Sequence, residues 1–346
     1  MDPRNLPPHA QLSELAHTVR LVPLETKPES IMGYVGRLFV GKEYIILTSG
    51  EGTMGLFLFT IDGKFVRKIG SQGKGPGEYS GIREISVIED STSVFVSSSG
   101  KILEYSFEGQ MRREIPVKRG LSNAKMLDAN RVAYSSYYNY EVKIVDMLTQ
   151  DTLYYIDITP ESRSQMKHFN GTLHSGHFYT ALGRDTIWRV DQDSMRPAIT
   201  CDFGTGHFTS DEYFGSIFNE KGYPSGKLSI GGGTVYNQGF YHFSLLRQDA
   251  EDEFHYDHII INEESGESWH LSGSATSDDI LFCSSTDFST ANPGGEWVSA
   301  VGAYELIDAL PEIKANKSFK YPDDLVEQIE KMTIGDNPVL VFYTFK

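Results

Sequence analysis

The sequence predicts an all-β fold, a six-bladed β-propeller formed by residues 1–346 as a single domain. Three features lead to this prediction: a hairpin pattern that recurs about every 45 residues, a composition suited to short strands, and strand-like segments at both chain ends that would complete the last blade. A repeat of this length is typical of propellers, in which each repeat forms one four-stranded blade.

The repeat consists of two alternating strands joined by a tight turn. It occurs at 56–69, 101–117, 141–156 and 185–200, with turns centred on Gly63, Gly109, Gln150 and Ser194, which are 46, 41 and 44 residues apart. A fifth copy at 258–271 turns at Gly266, 72 residues after Ser194, so we expect an inserted loop at 207–227. Because side chains alternate between the faces of a strand, one face of each strand is expected to pack against the next blade.

Each of these hairpins is interpreted as the two outer strands of a blade, with two inner strands before it. Segments with the inner-strand pattern are 82–87, 92–98, 129–137 and 176–182. The sixth blade has to combine both chain ends, with inner strands at 277–285 and 296–304, a third strand at 337–345 and a fourth at 17–24. Such closure would leave no exposed sheet edge.

One segment near the C-terminus has a helical pattern. Residues 322–332 carry Leu325, Ile329 and Met332 at helical spacing, with Asp near the start and no internal Pro or Gly. This pattern predicts a short helix packed on the outside of blade six.

The composition excludes some classes of protein and partner. Hydrophobic residues make up 39% of the chain and 33 residues are glycine, which suits a folded β protein and argues against disorder. Acidic residues outnumber basic ones 47 to 31, for a net charge of −16, and no basic cluster stands out. Nucleic acid is therefore not expected as a partner, since phosphate binding needs a basic surface.

Membrane and redox features are sparse. No run of about 18 apolar residues is present, so no transmembrane segment is expected in this chain. The N-terminus lacks the pattern of a secretory signal, which leaves either a cytoplasmic protein or one whose signal is absent from this sequence. The two cysteines, Cys201 and Cys283, fall in non-adjacent blades and are expected to be free and buried.

The segment from Gly70 to Ile115 resembles a known family. Its loop, Gly73-Lys-Gly-Pro-Gly-Glu-Tyr79, and the alternating strands after it are similar to the NHL-type repeat and to the six-bladed propeller lipoproteins of Bacteroides-type bacteria. The C-terminal segment 337–345 also looks like the closing strand of that family. The resemblance implies a cell-envelope protein, in the periplasm or on the outer membrane, whose activity is unknown. Ser97 departs from the family, where the strand usually ends in Asp.

Several short motifs have features of ligand or metal sites. The glycine loop 70–77 has no following helix to receive a phosphate, so it is interpreted as a connection between blades, and 231–233 as a close approach to the propeller axis. His168, His174 and His177 are not spaced for a shared metal ion on one strand face, and are expected to be polar loop or strand-end residues. Asp191 and Asp193 lack the rest of a calcium loop and are interpreted as a solvated turn.

The mouth of the central channel is the best candidate for a ligand site. Polar residues at the starts of innermost strands converge there, and those predicted to do so are Arg37, Arg83, Asn123, Asn170 or His174, and 277–279, including Asp279. The inserted loop 207–227 could act as a lid through Tyr213, Phe214 and Tyr223, or simply pack against the surface.

No catalytic motif is present, so the leading hypothesis is a non-catalytic binding propeller of the cell envelope, without a cofactor, whose ligand is a glycan, a peptide or an envelope protein. The alternative is an enzyme resembling six-bladed lactonases and lyases, with a calcium ion held in the central channel. Asn123, Asn170 and Asp279 could supply its oxygen ligands. A purely structural scaffold is a third possibility.

Overall fold

The protein is described here by a computed structural model that covers residues 6–49, 55–117, 121–136, 141–157, 171–174, 177–181, 184–209, 212, 227–248, 254–271, 278–283 and 288–346. Within these ranges the chain forms six antiparallel sheets of four strands each. The innermost strands contact one another in ring order, and the sixth contacts the first. The predicted six-bladed β-propeller is therefore confirmed.

The first three blades each run from the innermost to the outermost strand. Blade one contains β2 (Val35–Val40), β3 (Tyr44–Ser49), β4 (Leu56–Thr60) and β5 (Phe65–Ile69). Blade two contains β6 (Glu84–Ile88), β7 (Ser93–Ser98), β8 (Lys101–Ser106) and β9 (Met111–Pro116). Blade three contains β10 (Leu121–Met126), β11 (Arg131–Ser136), β12 (Glu141–Asp146) and β13 (Thr152–Asp157).

The next two blades repeat this order. Blade four contains β14 (Gly171–His174), β15 (Phe178–Ala181), β16 (Thr186–Val190) and β17 (Met195–Thr200). Blade five contains β18 (Leu228–Asn237), β19 (Phe240–Gln248), β20 (Phe254–Asn262) and β21 (Ser268–Leu271). All five predicted hairpins are thus the outer strand pairs of blades.

Blade six joins the two ends of the chain. Its order is β22 (Thr290–Ala291), β23 (Trp297–Val301), β24 (Val339–Phe345) and, outermost, β1 (Ala16–Pro23). Strand β1 pairs antiparallel with β24, with Leu21 opposite Val341. The predicted closure is confirmed, and the N-terminal strand covers the edge that β24 would otherwise expose.

Packing between blades follows from strand alternation. In β4, Leu56 and Leu58 join the apolar cluster shared with blade two, whereas Phe57 and Phe59 join the cluster shared with blade six. Six such clusters occur among the described residues, one at each boundary between neighbouring blades. The hydrophobic core is therefore distributed around the ring rather than concentrated in one centre.

The loop between blades one and two contributes to this packing. Tyr79 is only 2% exposed and meets Tyr105 of β8 edge-on, with ring centroids 6.5 Å apart. The preceding glycine segment is held by Glu78, whose carboxylate accepts the Gly75 N–H at 2.8 Å. This loop connects the blades as predicted. The Gly75 N–H is bonded to the Glu78 carboxylate and is therefore not free to bind a phosphate.

Helices are short and lie near the chain ends. The helices whose two ends fall in the described ranges are α1 (Leu12–Leu15), α2 (Ala303–Asp308), α3 (Leu310–Ala315) and α4 (Leu325–Glu330). Helix α4 is the one predicted within 322–332; it contacts β1, and its Leu325 and Ile329 are buried in the cluster at blade six. None of the helices in the described ranges has the length and apolar character needed to cross a bilayer.

The predicted inner strands of blade six were partly wrong. Residues 278–283 form a turn, because the Asp278 carboxylate accepts the backbone N–H groups of Ile280 at 3.1 Å and Leu281 at 2.9 Å, which competes with strand pairing. The innermost strand is instead β22. The strand predicted at 296–304 ends at Val301, and α2 begins there, with the Glu305 carboxylate accepting the Gly302 N–H at 3.2 Å.

Both cysteines are free and buried, as expected. Cys283 lies beside the Asp278 turn, within the cluster between blades five and six. Burial raises the pKa of the Asp278 carboxyl to about 6 from its usual 3.8, against the opposing effect of the backbone hydrogen bonds. The carboxyl group is therefore partly neutral in mildly acidic solution.

The stability of the protein should depend on the ionisation of Asp278. The pKa of Asp278 is higher in the folded state than in the unfolded state, so the protonated carboxyl stabilises the fold. This contribution to the free energy of unfolding is fully present below about pH 3.8 and is lost as the pH rises through about 6. The difference corresponds to about 3 kcal/mol. In Asp278→Asn, which keeps an acceptor oxygen but cannot ionise, the loss should be absent. Denaturant unfolding of both proteins between about pH 4 and pH 7.5 measures this, and parallel pH profiles would contradict it.

Candidate ligand site in the central channel

The innermost strands and the turns beside them enclose a cavity of about 350 Å³ on the propeller axis. All six blades contribute described residues to its wall: 36–39, 84–87, 125–126, His177, 233–235 and 288–291. This volume is at the lower end of the range of about 300–1,000 Å³ found for small-molecule pockets. A small molecule, or the end of a larger one, fits such a space.

Charged residues are concentrated on the wall formed by blades one to three. The Glu84 carboxylate lies between two cations, with Oε2 at 3.6 Å from Arg37 Nε and Oε1 at 3.8 Å from Lys125 Nζ. The Glu84 and Lys125 side chains are 6% and 10% exposed, whereas that of Arg37 is 48% exposed. Arg37 therefore reaches the open end of the channel, and the other two line it more deeply.

Strand geometry explains why these residues meet. Arg37 on β2, Glu84 on β6 and Lys125 on β10 belong to three consecutive innermost strands, which contact each other around the ring. The Ser86 hydroxyl of β6 accepts the Met126 N–H of β10 at 2.9 Å and ties the two strands together beside the charged group. Residues 47 and 41 positions apart in sequence are thus brought to 3.6 Å and 3.8 Å from each other.

Burial affects the protonation of the two basic groups in this wall. It lowers the pKa of the Lys125 ammonium, an effect that the Glu84 carboxylate opposes and the Arg37 guanidinium reinforces. Burial, assisted by the charges of Lys125 and Arg189, also lowers the pKa of His177 to about 4. His177 is therefore neutral at pH 7.

The wall formed by blades five and six is neutral. It is lined by Thr234, Ser289 and Thr290 and by Gly233, whose φ of +66° accompanies an irregularity in the β18–β19 pairing. Thr234 is 1% exposed, and its Oγ1 has no hydrogen-bond partner among the described residues. The interpretation of 231–233 as a close approach to the axis agrees with this placement of Gly233.

The predicted mouth residues are distributed unevenly. Arg37 lines the cavity, and Arg83 contributes its backbone oxygen, which accepts the Arg37 Nε–H at 3.2 Å. Asn123 and His174 lie on innermost strands β10 and β14, but their side chains are outside the described part of the structure. The remaining predicted residues that fall outside the described ranges are Asn170, Ser277, Tyr213, Phe214 and Tyr223.

Asp279 was wrongly placed at the channel mouth. It belongs to the turn at 278–283, and its carboxylate accepts the Ser13 N–H at 2.9 Å and the Ser13 hydroxyl hydrogen, beside α1. The error follows from the strand assigned to 277–285, since a turn there directs this residue to the chain's N-terminal segment. The real channel residues of blade six are 288–291.

The other candidate motifs can be placed only in part. Asp191 is flanked by Arg189 and Arg196, each with its Nε at 3.4 Å from a carboxylate oxygen, which agrees with the solvated turn inferred for 191–193. His168 and the His174 side chain lie outside the described residues, so only His177 of the histidine group can be placed. Among the described side chains, no group of three or more His, Cys, Asp or Glu could hold a metal ion together.

Glu84, Lys125 and Thr234 were missed by sequence reasoning. A signal for Lys125 was available, because it lies two residues after Asn123 and residues i and i+2 share a strand face. Extending the search one step along each innermost strand would have found it. Glu84 directly follows the predicted residue Arg83. Strand β6 begins at Glu84, so the prediction missed the channel residue by one position.

A family model matches residues 4–344, almost the whole chain. The family is described as "Domain of unknown function (DUF4934)". The chain belongs to the DUF4934 family. No curated protein matches it.

Two solved structures from Bacteroides are similar to this DUF4934 chain. A protein of Bacteroides fragilis NCTC 9343 that is proposed to be exported has a TM-score of 0.76 at 16% identity, with 99% of each chain covered. A structural-genomics protein of unknown function from Bacteroides thetaiotaomicron VPI-5482 has a TM-score of 0.50 at 8% identity, covering 96% of this chain and 76% of the other. At these identities the likeness establishes the fold of the DUF4934 chain and not its activity.

The buried ion pair in the channel should make Glu84 important for stability. Replacing it in Glu84→Gln leaves the Lys125 ammonium without its counter-charge, and we expect the free energy of unfolding at pH 7 to fall by about 3 kcal/mol. Glu327→Gln is the control, because Glu327 forms an exposed pair with Lys331 and its loss should change stability by less than about 0.5 kcal/mol. Equal effects of the two substitutions in urea unfolding would show that the channel pair is not desolvated.

Proposed function

We propose that this chain is a non-catalytic binding protein that takes its ligand, part of a glycan, a peptide or an envelope protein, at the mouth of the central channel. The observation that supports this most is the buried Lys125–Glu84 pair lining an open cavity. Desolvated charges at a cavity wall cost stability, and such groups are concentrated at functional sites. A propeller of an unknown-function family agrees with this role without specifying the ligand.

The calcium-dependent lactonase or lyase alternative is not favoured. In the part of the channel wall that the structure describes, the acidic side chain is Glu84, and it lies between two cations. Calcium prefers six to eight oxygen ligands, several of them carboxylates, and Arg37 and Lys125 would repel it. Asp279, one of the ligands that this alternative would use, is bound to Ser13 away from the channel.

The site of action that we propose is the cell envelope. Two observations support it: the resemblance of 70–115 to propeller lipoproteins, and the likeness in fold to a Bacteroides fragilis protein proposed to be exported. An acidic chain of net charge −16 also fits partners other than nucleic acid.

Blocking the channel should abolish ligand binding. Ser289 is an exposed residue of the wall, so the indole in Ser289→Trp would fill the cavity without entering the core. We expect that ligands found by thermal-shift screening of saccharide and peptide panels raise the melting temperature of the wild type and fail to do so in Ser289→Trp.

Ser265→Trp is the matched control, because Ser265 lies in the exposed outer turn of blade five. It should respond to each ligand as the wild type does. Ligands that stabilise wild type and Ser289→Trp equally would bind elsewhere, and the proposal of a channel site would then be wrong.

Calcium should not bind in the channel. We expect calorimetry of chelator-treated protein to show no stoichiometric heat on calcium addition, and the melting temperature to stay unchanged, because of the two cations beside Glu84. Tight binding that is lost in Glu84→Gln would reinstate the calcium-dependent alternative.

A further inference from the structure

We propose that the channel binds a small hydroxylated monocarboxylate, such as a sugar acid, whose carboxylate meets Lys125 and Arg37 while its hydroxyl groups meet the wall of blades five and six. This proposal rests on the proposed function, because it specifies the ligand class of the same site. It follows from three properties of the channel: an incompletely satisfied buried ammonium, a net positive charge, and a neutral hydroxyl-bearing wall opposite.

The first property is the environment of Lys125. An ammonium group has three donors, but the contact that the structure shows for Lys125 Nζ is the ion pair with Glu84 Oε1 at 3.8 Å, which is long for a hydrogen bond. Glu84 Oε1 already accepts the Ile85 N–H at 3.1 Å, and Glu84 Oε2 faces Arg37. A single carboxylate thus serves two cations. An added acceptor in the cavity would satisfy donors that the protein leaves open.

The second property is charge balance. Arg37 and Lys125 supply two positive charges and Glu84 one negative charge, whereas His177 is neutral at pH 7. The described wall therefore carries one net positive charge in a chain of net charge −16. One carboxylate neutralises it, and a phosphate dianion would leave excess negative charge in a desolvated space.

The third property is the opposite wall. Thr234, Ser289 and Thr290 line this wall, and the Ser289 side chain is exposed, whereas Thr234 is 1% exposed. A hydroxyl can both donate and accept, so it pairs well with another hydroxyl group. A ligand with a carboxylate at one end and hydroxyl groups at the other therefore matches both walls, and the cavity of about 350 Å³ limits its size.

The decisive measurement is calorimetric titration of the full chain at pH 7 with four probes: D-glucuronate, D-gluconate, D-glucose and inorganic phosphate. Glucuronate and glucose differ mainly in the carboxylate, and the ring and open-chain acids distinguish two sources of the same chemistry. We expect at least one acid to bind about tenfold or more tightly than glucose and than phosphate, as a charge-assisted hydrogen bond implies.

Two variants assign this binding to the channel. Lys125→Met should weaken binding of the acid at least about tenfold, because the charge is removed while the length of the side chain is kept. Lys101→Met is the matched control, since Lys101 is also mostly buried and paired, to Glu114 at 3.2 Å, but lies on β8 outside the channel. A cooperative melting transition shows that each variant is folded, so a loss of binding can be read as a local effect.

Glu84→Gln provides an opposite test. It removes the carboxylate that competes with the ligand for both cations, so the acid should bind more tightly and should raise the melting temperature more than in the wild type. Glucose binding as tightly as the acids, preference for phosphate, no binding of either acid at millimolar concentration, or full affinity in Lys125→Met would each overturn the ligand class. If panel ligands nevertheless bind in a manner sensitive to Ser289→Trp, the channel site stands and only its ligand class is wrong.

Discussion

The pairing of β1 with β24 is the interaction on which the rest of the structure depends. A propeller is held together by contacts between neighbouring blades, so an open ring would leave the faces of blades one and six without partners. Here the N-terminal strand is the outermost strand of the blade formed by the C-terminal part of the chain. Val22 and Leu24, in or just after β1, join Leu340 and Phe342 of β24 in the cluster that packs on blade one. Closure and core formation are thus the same event at this boundary.

Ring closure also creates the channel and determines its chemistry. Each blade places one innermost strand at the axis, and neighbouring innermost strands approach closely enough for side chains to interact. Arg37, Glu84 and Lys125 come from three blades and form a continuous charged wall, while blades five and six supply hydroxyl groups and backbone. This uneven distribution of charge has a physical consequence, because an ammonium group with few acceptors around it can donate hydrogen bonds to an added anionic group.

Buried charge in the channel has to be compensated within the fold. Lys125 would be a liability in a purely structural wall, where an apolar residue of similar volume is often as stable or more so. Glu84 compensates part of its charge, and Arg37 competes for the same carboxylate. In the binding role that we propose, donors that the protein leaves open would contribute selectivity for the ligand that satisfies them.

The sequence by itself determined the blade count, the outer hairpins, the closing strands and helix α4. Two-residue alternation and turn glycines such as Gly63 and Gly109 are local properties, so they can be recognised in the sequence without the structure. It failed at 277–285, where alternating apolar letters were interpreted as a strand although the Asp278 carboxylate captures the backbone of a turn. The candidate site was found only in outline, through Arg37. Tertiary structure alone decided that Glu84 meets Lys125, 41 positions away, and that burial changes the pKa values of Lys125 and His177. Both results depend on how closely the blades approach each other at the axis, and no local sequence pattern contains that distance.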